Sequence, residues 1–245
     1  MNDIVKNHNI VFVTFDTLRY DVAFECMESG QTPNLHKLLS GSWELRHAPG
    51  NFTYAAHHAF FAGYLPTPVR PGIYKRLFAL NFAGSRSIGK NTCVFEAENI
   101  VAGLHNIGFH TICIGGVGFF NKQNSLGTVL PNMFCESHWD VSMGVTNPKS
   151  TENQLTLAAN IVNKLNQKYF LYINISALHQ PNYFYLEGTQ QDCLESHKAA
   201  LIYIDSCLPI LVSSVIKSGP TFCIFTSDHG TAYGEKGYWG ASIVA

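Results

Sequence analysis

The sequence lacks the features that mark a nucleic-acid-binding, secreted or membrane-spanning protein. Only 13% of its 245 residues are charged and the formal net charge is −1, so binding through bulk electrostatics is not expected. No positively charged start leads into an apolar signal region, and no uninterrupted apolar run approaches the roughly 18 residues of a membrane span. We therefore expect a soluble, cytoplasmic protein with no nucleic-acid or membrane partner.

The sequence also lacks the cysteine spacing of a disulfide framework or a zinc knuckle. Its seven cysteines are scattered and odd in number, and none forms a C-x-x-C pair. Most lie in apolar runs, which is typical of reduced core thiols. Because 46% of the residues are hydrophobic, the chain can fill a sizeable core, and we expect a single domain over residues 1–245.

What the sequence does contain is a pair of apolar segments that each end in polar residues. Residues 11–15 lead into Asp16, and residues 223–227 lead into Asp228 and His229. Such runs are typical of buried parallel strands, and open α/β sheets bind ligands beyond the carboxyl ends of these strands. We therefore expect the three polar side chains to converge. Their oxygen and nitrogen atoms suit Zn²⁺ or Mn²⁺ better than Mg²⁺.

The rest of the chain alternates between predicted helices and strands, which favours a layered α/β fold. The predicted helices are residues 19–28, 33–39 after Thr32 as N-cap, 55–62, 100–107, 152–167 capped by Ser150 or Thr151, and 195–217 with an interruption at Pro209. The further predicted strands are residues 111–114 and 170–175. Glycines at 115–118 lack the full dinucleotide-binding fingerprint and indicate a tight turn. Residues 64–92, with five basic and no acidic residues, indicate a loop excursion.

Three further residues are candidates for chemistry. Thr53 precedes the predicted helix at 55–62, so it lies at a helix N-terminus, where backbone N–H groups and the helix dipole favour an anion. It could equally be an ordinary N-cap. His179 follows the third predicted strand and could contact the site or be an ordinary loop histidine. His57 could contact the site or pack within its helix.

Several short motifs, in this order and spacing, resemble the alkaline phosphatase superfamily and its sulfatase-like and phosphonate-monoester-hydrolase-like branch. They begin at Phe15 (FDTLRYD), Thr32 (TPNL), Thr53 (TYAAH), Ala62 (AGYLP), His179 (HQP) and Ser227 (SDHG). The resemblance covers most of the chain and is closest to an uncharacterised bacterial group of sulfatase-like predicted metalloenzymes. It implies a three-layer α/β/α sandwich around a mainly parallel sheet.

The resemblance also implies roles for the candidate residues. Asp16, Asp228 and His229 match the ligands of a divalent metal ion, most simply Zn²⁺ or Mn²⁺, with Mg²⁺ or Ca²⁺ as alternatives. Thr53 matches the nucleophile that attacks phosphorus or sulfur, and His179 or His57 would stabilise the oxyanion or the leaving group. A metal-dependent hydrolase or transferase acting on small anionic phosphate or phosphonate esters is therefore expected.

The departures from the family pattern leave alternatives open. Formylglycine sulfatases carry Cys or Ser followed by x-Pro-x-Arg, whereas Thr53 is followed by Tyr-Ala-Ala-His, so a sulfatase is disfavoured. Thr17 stands where many sulfatases have a second aspartate, which favours a single metal site. Family members continue beyond the position of Gly240 into a Gly-His turn. A shortened scaffold that binds a metal or a partner without catalysis is therefore the alternative.

Overall fold

A five-stranded parallel sheet forms the centre of the protein. The computed structural model describes residues 2–63, 78–79, 93–94 and 99–240. The sheet strands are β1 (Asn9–Phe15), β4 (His110–Ile114), β5 (Glu136–His138), β6 (Tyr169–Ile175) and β7 (Thr221–Ser227). Their order across the sheet is β5-β4-β6-β1-β7, and every pairing is parallel. All five strands therefore present their carboxyl ends at the same edge.

Two short strand pairs lie outside the central sheet. β2 (Phe78–Ala79) pairs in parallel with β3 (Cys93–Val94). β8 (Ala232–Tyr233) and β9 (Trp239–Gly240) form an antiparallel hairpin that follows β7. The predicted loop excursion at 64–92, with its basic residues, lies outside the described residues except for β2, and residues 241–245 lie outside them as well.

Helices cover both faces of the sheet. They are α1 (Asn2–Asn7), α2 (Tyr20–Glu28), α3 (Pro33–Leu38), α4 (Thr53–Ala62), α5 (Ile100–Asn106), α6 (Ser125–Val129), α7 (Ser150–Val162) and α8 (Leu194–Lys217). Residues of α2, α3, α7 and α8 share one apolar core with Val11, Val13 and Phe15 of β1. Residues of α4 and α5 share the other core with Ile10 and Phe12. Because side chains alternate along a strand, these two cores lie on opposite faces, and the predicted α/β/α sandwich is confirmed.

The prediction that both polar-ended strands are buried is wrong for β7. Along β1 every residue except Phe12 is buried, whereas β7 contains no buried residue, and Phe222 remains 39% exposed. The physical reason is the position of β7 at the end of the sheet, where β1 is its one neighbour among the strands that the structure describes. Its apolar composition therefore does not indicate a central position.

Two helix predictions also need correction. α7 ends at Val162 rather than at 167, and its N-cap residue is Lys149, which makes no side-chain cap. α8 continues through Pro209 without interruption. A proline cannot donate to the carbonyl group four residues earlier, but here that carbonyl, of Asp205, accepts a hydrogen bond from Asn34 Nδ2 at 3.0 Å. The Asp205 carbonyl group therefore has a hydrogen-bond donor although Pro209 cannot supply one.

α8 is also long and apolar enough to cross a membrane by length and composition alone. The sequence contains no uninterrupted apolar run of this length, because polar residues divide the helix. Half of the helix's most apolar window is buried inside the protein, and the helix supplies Ala200, Leu201 and Ile204 to the core. This placement is that of a core helix.

Six of the described cysteines are free thiols: Cys26, Cys113, Cys135, Cys193, Cys207 and Cys223. Cys26, Cys113 and Cys207 are buried, as expected of core thiols, but Cys135 and Cys223 are exposed. The expectation of reduced cysteines fits this part of the chain, whereas the expectation of burial holds for only half of these positions.

Candidate metal centre

The carboxyl ends of β1 and β7 bring three of the predicted side chains together. The two strands pair with Phe15 opposite Ser227, so the residues that follow, Asp16 and Asp228, leave the sheet side by side. Both aspartates are fully buried and His229 is 4% exposed. His229 Nε2 lies 4.0 Å from Asp16 Oδ1 and 3.5 Å from Asp228 Oδ2, and the three ligand atoms all lie within 4.8 Å of one another.

Each aspartate has one oxygen that is hydrogen-bonded and one that is not. Asp228 Oδ1 accepts from the backbone N–H groups of Thr17 at 3.1 Å and His229 at 2.9 Å. Asp16 Oδ2 accepts from Thr53 Oγ1 at 3.2 Å and Asn174 Nδ2 at 2.9 Å. The remaining oxygens, Asp16 Oδ1 and Asp228 Oδ2, are buried with no hydrogen-bond partner among the described residues. A buried, unpaired carboxylate oxygen is costly, so these atoms fit a bound cation.

The imidazole of His229 completes the donor set in a defined tautomer. Its Nδ1 lies 2.8 Å from the carbonyl oxygen of Gly230, and because a carbonyl group can only accept, the ring proton is on Nδ1. Nε2 therefore presents its lone pair to the carboxylate oxygens, as in histidines whose other nitrogen is fixed by a carbonyl group. Two oxygens and one imidazole nitrogen suit Zn²⁺ or Mn²⁺.

The electrostatics of the pair also favour a cation. Burial, and after it the neighbouring Asp16 carboxylate, raise the pKa of Asp228 well above its ordinary value. Two carboxyl groups this close in a dry environment resist double ionisation. A divalent ion would remove that repulsion and permit both to be charged.

Thr53 lies directly beside this cluster. It is the first residue of α4, and the N-cap is Phe52, so the alternative reading of Thr53 as an N-cap is wrong. Thr53 Oγ1 lies 3.2 Å from Asp16 Oδ2 and 3.3 Å from His229 Nε2, and the residue is 3% exposed. The structure thus places a hydroxyl group, a helix N-terminus and the three candidate ligands at one point.

His57 lies one helical turn after Thr53 and is wholly buried. Its Nδ1 lies 2.6 Å from the carbonyl oxygen of Thr53 and 3.8 Å from Asp228 Oδ2, and its Nε2 is hydrogen-bonded to the Tyr172 hydroxyl. Burial lowers the pKa of His57 to about 4, so the ring is neutral at pH 7. Both nitrogens are engaged inside the protein, an arrangement that orients Thr53.

His179 is not brought into contact with this cluster. It lies in the segment after β6, half-buried, and its Nδ1 lies 2.6 Å from the carbonyl oxygen of Gln180. Within the described part of the chain it makes no hydrogen bond to Asp16, Thr53, Asp228 or His229. Its predicted role stays a prediction.

Two residues of the site were missed by sequence reasoning. Asn174, fully buried in β6, donates to Asp16; the available signal was an amide in an otherwise apolar strand. Thr17 adopts a φ of 66°, which is rare for a β-branched residue, and thereby directs its N–H to Asp228. No sequence signal indicates that conformation.

The fold and the site together define an α/β/α protein with a buried carboxylate and imidazole centre at the carboxyl edge of a parallel sheet. The chain belongs to the sulfatase family, whose family model matches residues 8–243. No curated protein sequence matches the chain significantly.

Solved structures of the alkaline phosphatase superfamily share the fold. The C-terminal periplasmic domain of EcEptC from Escherichia coli, in complex with Zn, is similar with a TM-score of 0.61 and 14% identity over 92% of this chain. The corresponding domain of phosphoethanolamine transferase EptC from Campylobacter jejuni gives 0.62 and 16% over 96%, covering 72% of that chain. An alkaline phosphatase superfamily protein from Vibrio parahaemolyticus gives 0.57 and 21% over 93%, covering 55% of that chain. This chain spans 64% of the Escherichia coli domain.

Proposed function

We propose that this protein is a metal-dependent hydrolase or transferase of phosphate or phosphonate esters, with Thr53 as its nucleophile. The observation that carries the proposal is the position of Thr53 Oγ1, 3.2 Å from Asp16 Oδ2 beside two carboxylate oxygens without partners. Membership of the sulfatase family supports ester chemistry. The neighbours described as a phosphoethanolamine transferase and as a Zn complex support a phosphoester substrate and a metal.

Asp16, Asp228 and His229 would hold the ion, most simply Zn²⁺ or Mn²⁺. When bound, it supplies positive charge that stabilises an ester oxygen and lowers the pKa of a nearby hydroxyl group. The chain's own residues prepare the nucleophile. Thr53 Oγ1–H donates a hydrogen bond to Asp16 Oδ2. This bond gives the hydroxyl proton an acceptor and directs a lone pair of Thr53 Oγ1 away from Asp16.

The surroundings of Thr53 fix its position. His57 Nδ1–H donates to the Thr53 carbonyl group, and Tyr172 holds the opposite side of the same ring. The N-terminus of α4 faces an anionic ester with unsatisfied N–H groups and a favourable dipole. His179, whose Nδ1 carries the ring proton because it faces a carbonyl oxygen, keeps Nε2 for a leaving group. The proposed substrate is a small anionic ester, the whole site lies in one domain over residues 1–245, and the proposed location of the protein is the cytoplasm.

The test is turnover by metal-reconstituted protein on aryl phosphate, phosphodiester, phosphonate and sulfate esters. Thr53→Val keeps the shape of the side chain but removes the hydroxyl, and it should lower kcat at least about 10³-fold. Thr53→Ser should retain much of the activity. Thr151→Val is the matched control, because Thr151 is also a buried threonine in the first turn of a helix and lies outside this site.

Each outcome separates the candidate functions. Phosphoester or phosphonate turnover that depends on Thr53 supports the proposal, and sulfate-ester turnover would favour a sulfatase instead. Bound metal with no turnover of any ester would overturn the proposed catalytic function and favour a non-catalytic metal-binding protein on the same scaffold. Full activity of Thr53→Val would exclude Thr53 as the nucleophile.

A further inference from the structure

We propose that Asn174 is the positioning residue that assigns the two oxygens of Asp16 to different tasks. Asn174 holds Oδ2 toward Thr53 and so leaves only Oδ1 to face the ion. The inference rests on the metal site of the proposed function and extends it to a residue that touches neither the ester nor, in this arrangement, the metal.

The orientation of the Asn174 amide is fixed at both ends. Its Oδ1 accepts from the backbone N–H of Val117 at 3.0 Å, and its Nδ2 donates to Asp16 Oδ2 at 2.9 Å. Because the Val117 N–H group can only donate, Oδ1 must face it, and the NH₂ group must face Asp16. The side chain is fully buried, so water does not compete for these bonds.

The backbone of Asn174 is held just as firmly. It lies in β6 directly opposite Thr14 of β1, two residues before Asp16. The Asn174 carbonyl oxygen accepts from Gln154 Nε2 at 2.6 Å, and the same nitrogen donates to the Gly115 carbonyl oxygen at 3.0 Å. Gly116 packs so closely on this carbonyl that a larger residue would clash with it. The turn after β4 and the helix α7 therefore fix the point from which Asn174 reaches Asp16.

Removal of this donor would free the Asp16 carboxylate. Oδ2 would keep only the 3.2 Å bond from Thr53 Oγ1, and the group could rotate and offer both oxygens to the ion. The ion would then compete with Thr53 for Oδ2. Hydrogen-bond partners of metal ligands commonly change metal affinity by about 10- to 100-fold when they are removed.

The experiment measures Zn²⁺ affinity by competition with a chromogenic chelator, and the visible spectrum of the Co²⁺-substituted protein. Asn174→Leu keeps the approximate side-chain volume and removes the donor. It should weaken Zn²⁺ binding about 10- to 100-fold. It should also weaken the visible bands of the Co²⁺ protein, because a second Asp16 oxygen on the ion raises its coordination number. Asn9→Leu is the control: Asn9 is also a buried strand asparagine, its amide bonds the Tyr169 N–H group and the Ser218 carbonyl oxygen at 3.4 Å each, and it lies at the other end of β1 from Asp16. It should lower Tm and leave both metal readouts unchanged.

The outcomes distinguish this inference from the proposed function. Wild-type protein that binds no Zn²⁺ would overturn the site and the role of Asn174 together. Wild-type binding with equal affinity and spectrum in Asn174→Leu, or an equal loss in Asn9→Leu, would overturn the role of Asn174 alone. If Asn174→Leu does not fold, Asn174→Ser is measured in the same way, since its shorter side chain cannot reach Asp16.

Discussion

Two buried histidines make the stability of this protein depend on pH. His197 is fully buried; its Nε2 accepts from the Arg19 N–H group at 3.4 Å, and its Nδ1 lies 2.8 Å from the Tyr233 hydroxyl. Burial lowers the pKa of His197 to about 3 and that of His57 to about 4. Both are therefore neutral in the folded protein over a range in which an ordinary histidine is charged.

The sign of the effect follows from proton binding. Below pH 6.5 the unfolded chain binds protons at these two histidines and the folded chain does not, so the contribution of the two histidines to the free energy of unfolding falls as the pH falls from about 6.5 toward 4. At pH 5 the loss is about 2 kcal/mol for each histidine. Urea unfolding of metal-free protein at several pH values measures it. Between pH 7 and pH 5, His197→Gln should lose about 2 kcal/mol less stability than the wild type, because the other titrating groups contribute equally to both proteins. An equal loss in both proteins would contradict the assignment.

At the residue scale, the sequence predicted that the three candidate ligands lie together, but it did not predict which residues orient them. Asp16, Asp228 and His229 could be named because each follows an apolar strand, and parallel strands share a carboxyl edge. Asn174 donates to Asp16 only because β6 lies between β1 and β4, and strand order is not written locally. The unusual φ of Thr17 likewise arises from the turn that joins β1 to α2.

At the element scale, Asp205 links helices that are far apart in sequence. Thr32 is the N-cap residue of α3 but makes no side-chain cap. Asp205 of α8 replaces it: Oδ1 accepts from the Leu35 N–H group at 2.7 Å and Oδ2 from the Asn34 N–H group at 3.2 Å. Asn34 in turn donates to the Asp205 carbonyl group that Pro209 leaves free.

Replacement of Asp205 should therefore destabilise the protein strongly. Asp205→Ala removes a charged acceptor from buried N–H groups and should lower the free energy of unfolding by about 2–4 kcal/mol. Asp205→Asn keeps one acceptor oxygen and should cost less than half as much. Urea unfolding at pH 7 measures both, and an alanine variant as stable as the wild type would show that α3 is not capped in this way.

The same contact supplies what Thr32 and Pro209 lack locally: Thr32 is the predicted N-cap residue but makes no side-chain cap, and Pro209 does not interrupt α8 as predicted. Local sequence indicates Thr32 as a cap and Pro209 as a break, and both rules are sound for isolated helices. The compensating groups lie 171 residues apart, so no window of local sequence contains both. The positions of α2, α4 and α5 needed no such partner, and the sequence predicted them to within two residues.

At the scale of the whole molecule, the alternation of helices and strands predicted a layered α/β fold, and the family resemblance implied its three-layer α/β/α form. The alternation did not reveal the strand order or the edge position of β7. Among the described strands β7 pairs with β1 alone, and exposed apolar edge strands are prone to pair with other chains.

The candidate metal site lowers the free energy of unfolding of the metal-free protein at neutral pH. Since the pKa of Asp228 is raised in the folded state, the metal-free fold holds a proton that the unfolded chain releases, and its stability falls as the pH rises above the ordinary aspartate pKa. Asp228→Asn should therefore make the metal-free protein more stable at pH 7. It should also abolish stabilisation by metal, which amounts to about 2.7 kcal/mol at a free Zn²⁺ concentration 100 times Kd.

The most direct measurement is the zinc content of reconstituted wild-type and Asp228→Asn protein after gel filtration, with Tm recorded for each before and after reconstitution. We predict one Zn²⁺ per wild-type chain, with a Tm higher after reconstitution than before it. We predict no bound Zn²⁺ in Asp228→Asn, whose metal-free Tm should exceed that of the metal-free wild type. Zinc-free wild-type protein, or equal zinc content in both proteins, would contradict the proposed metal site.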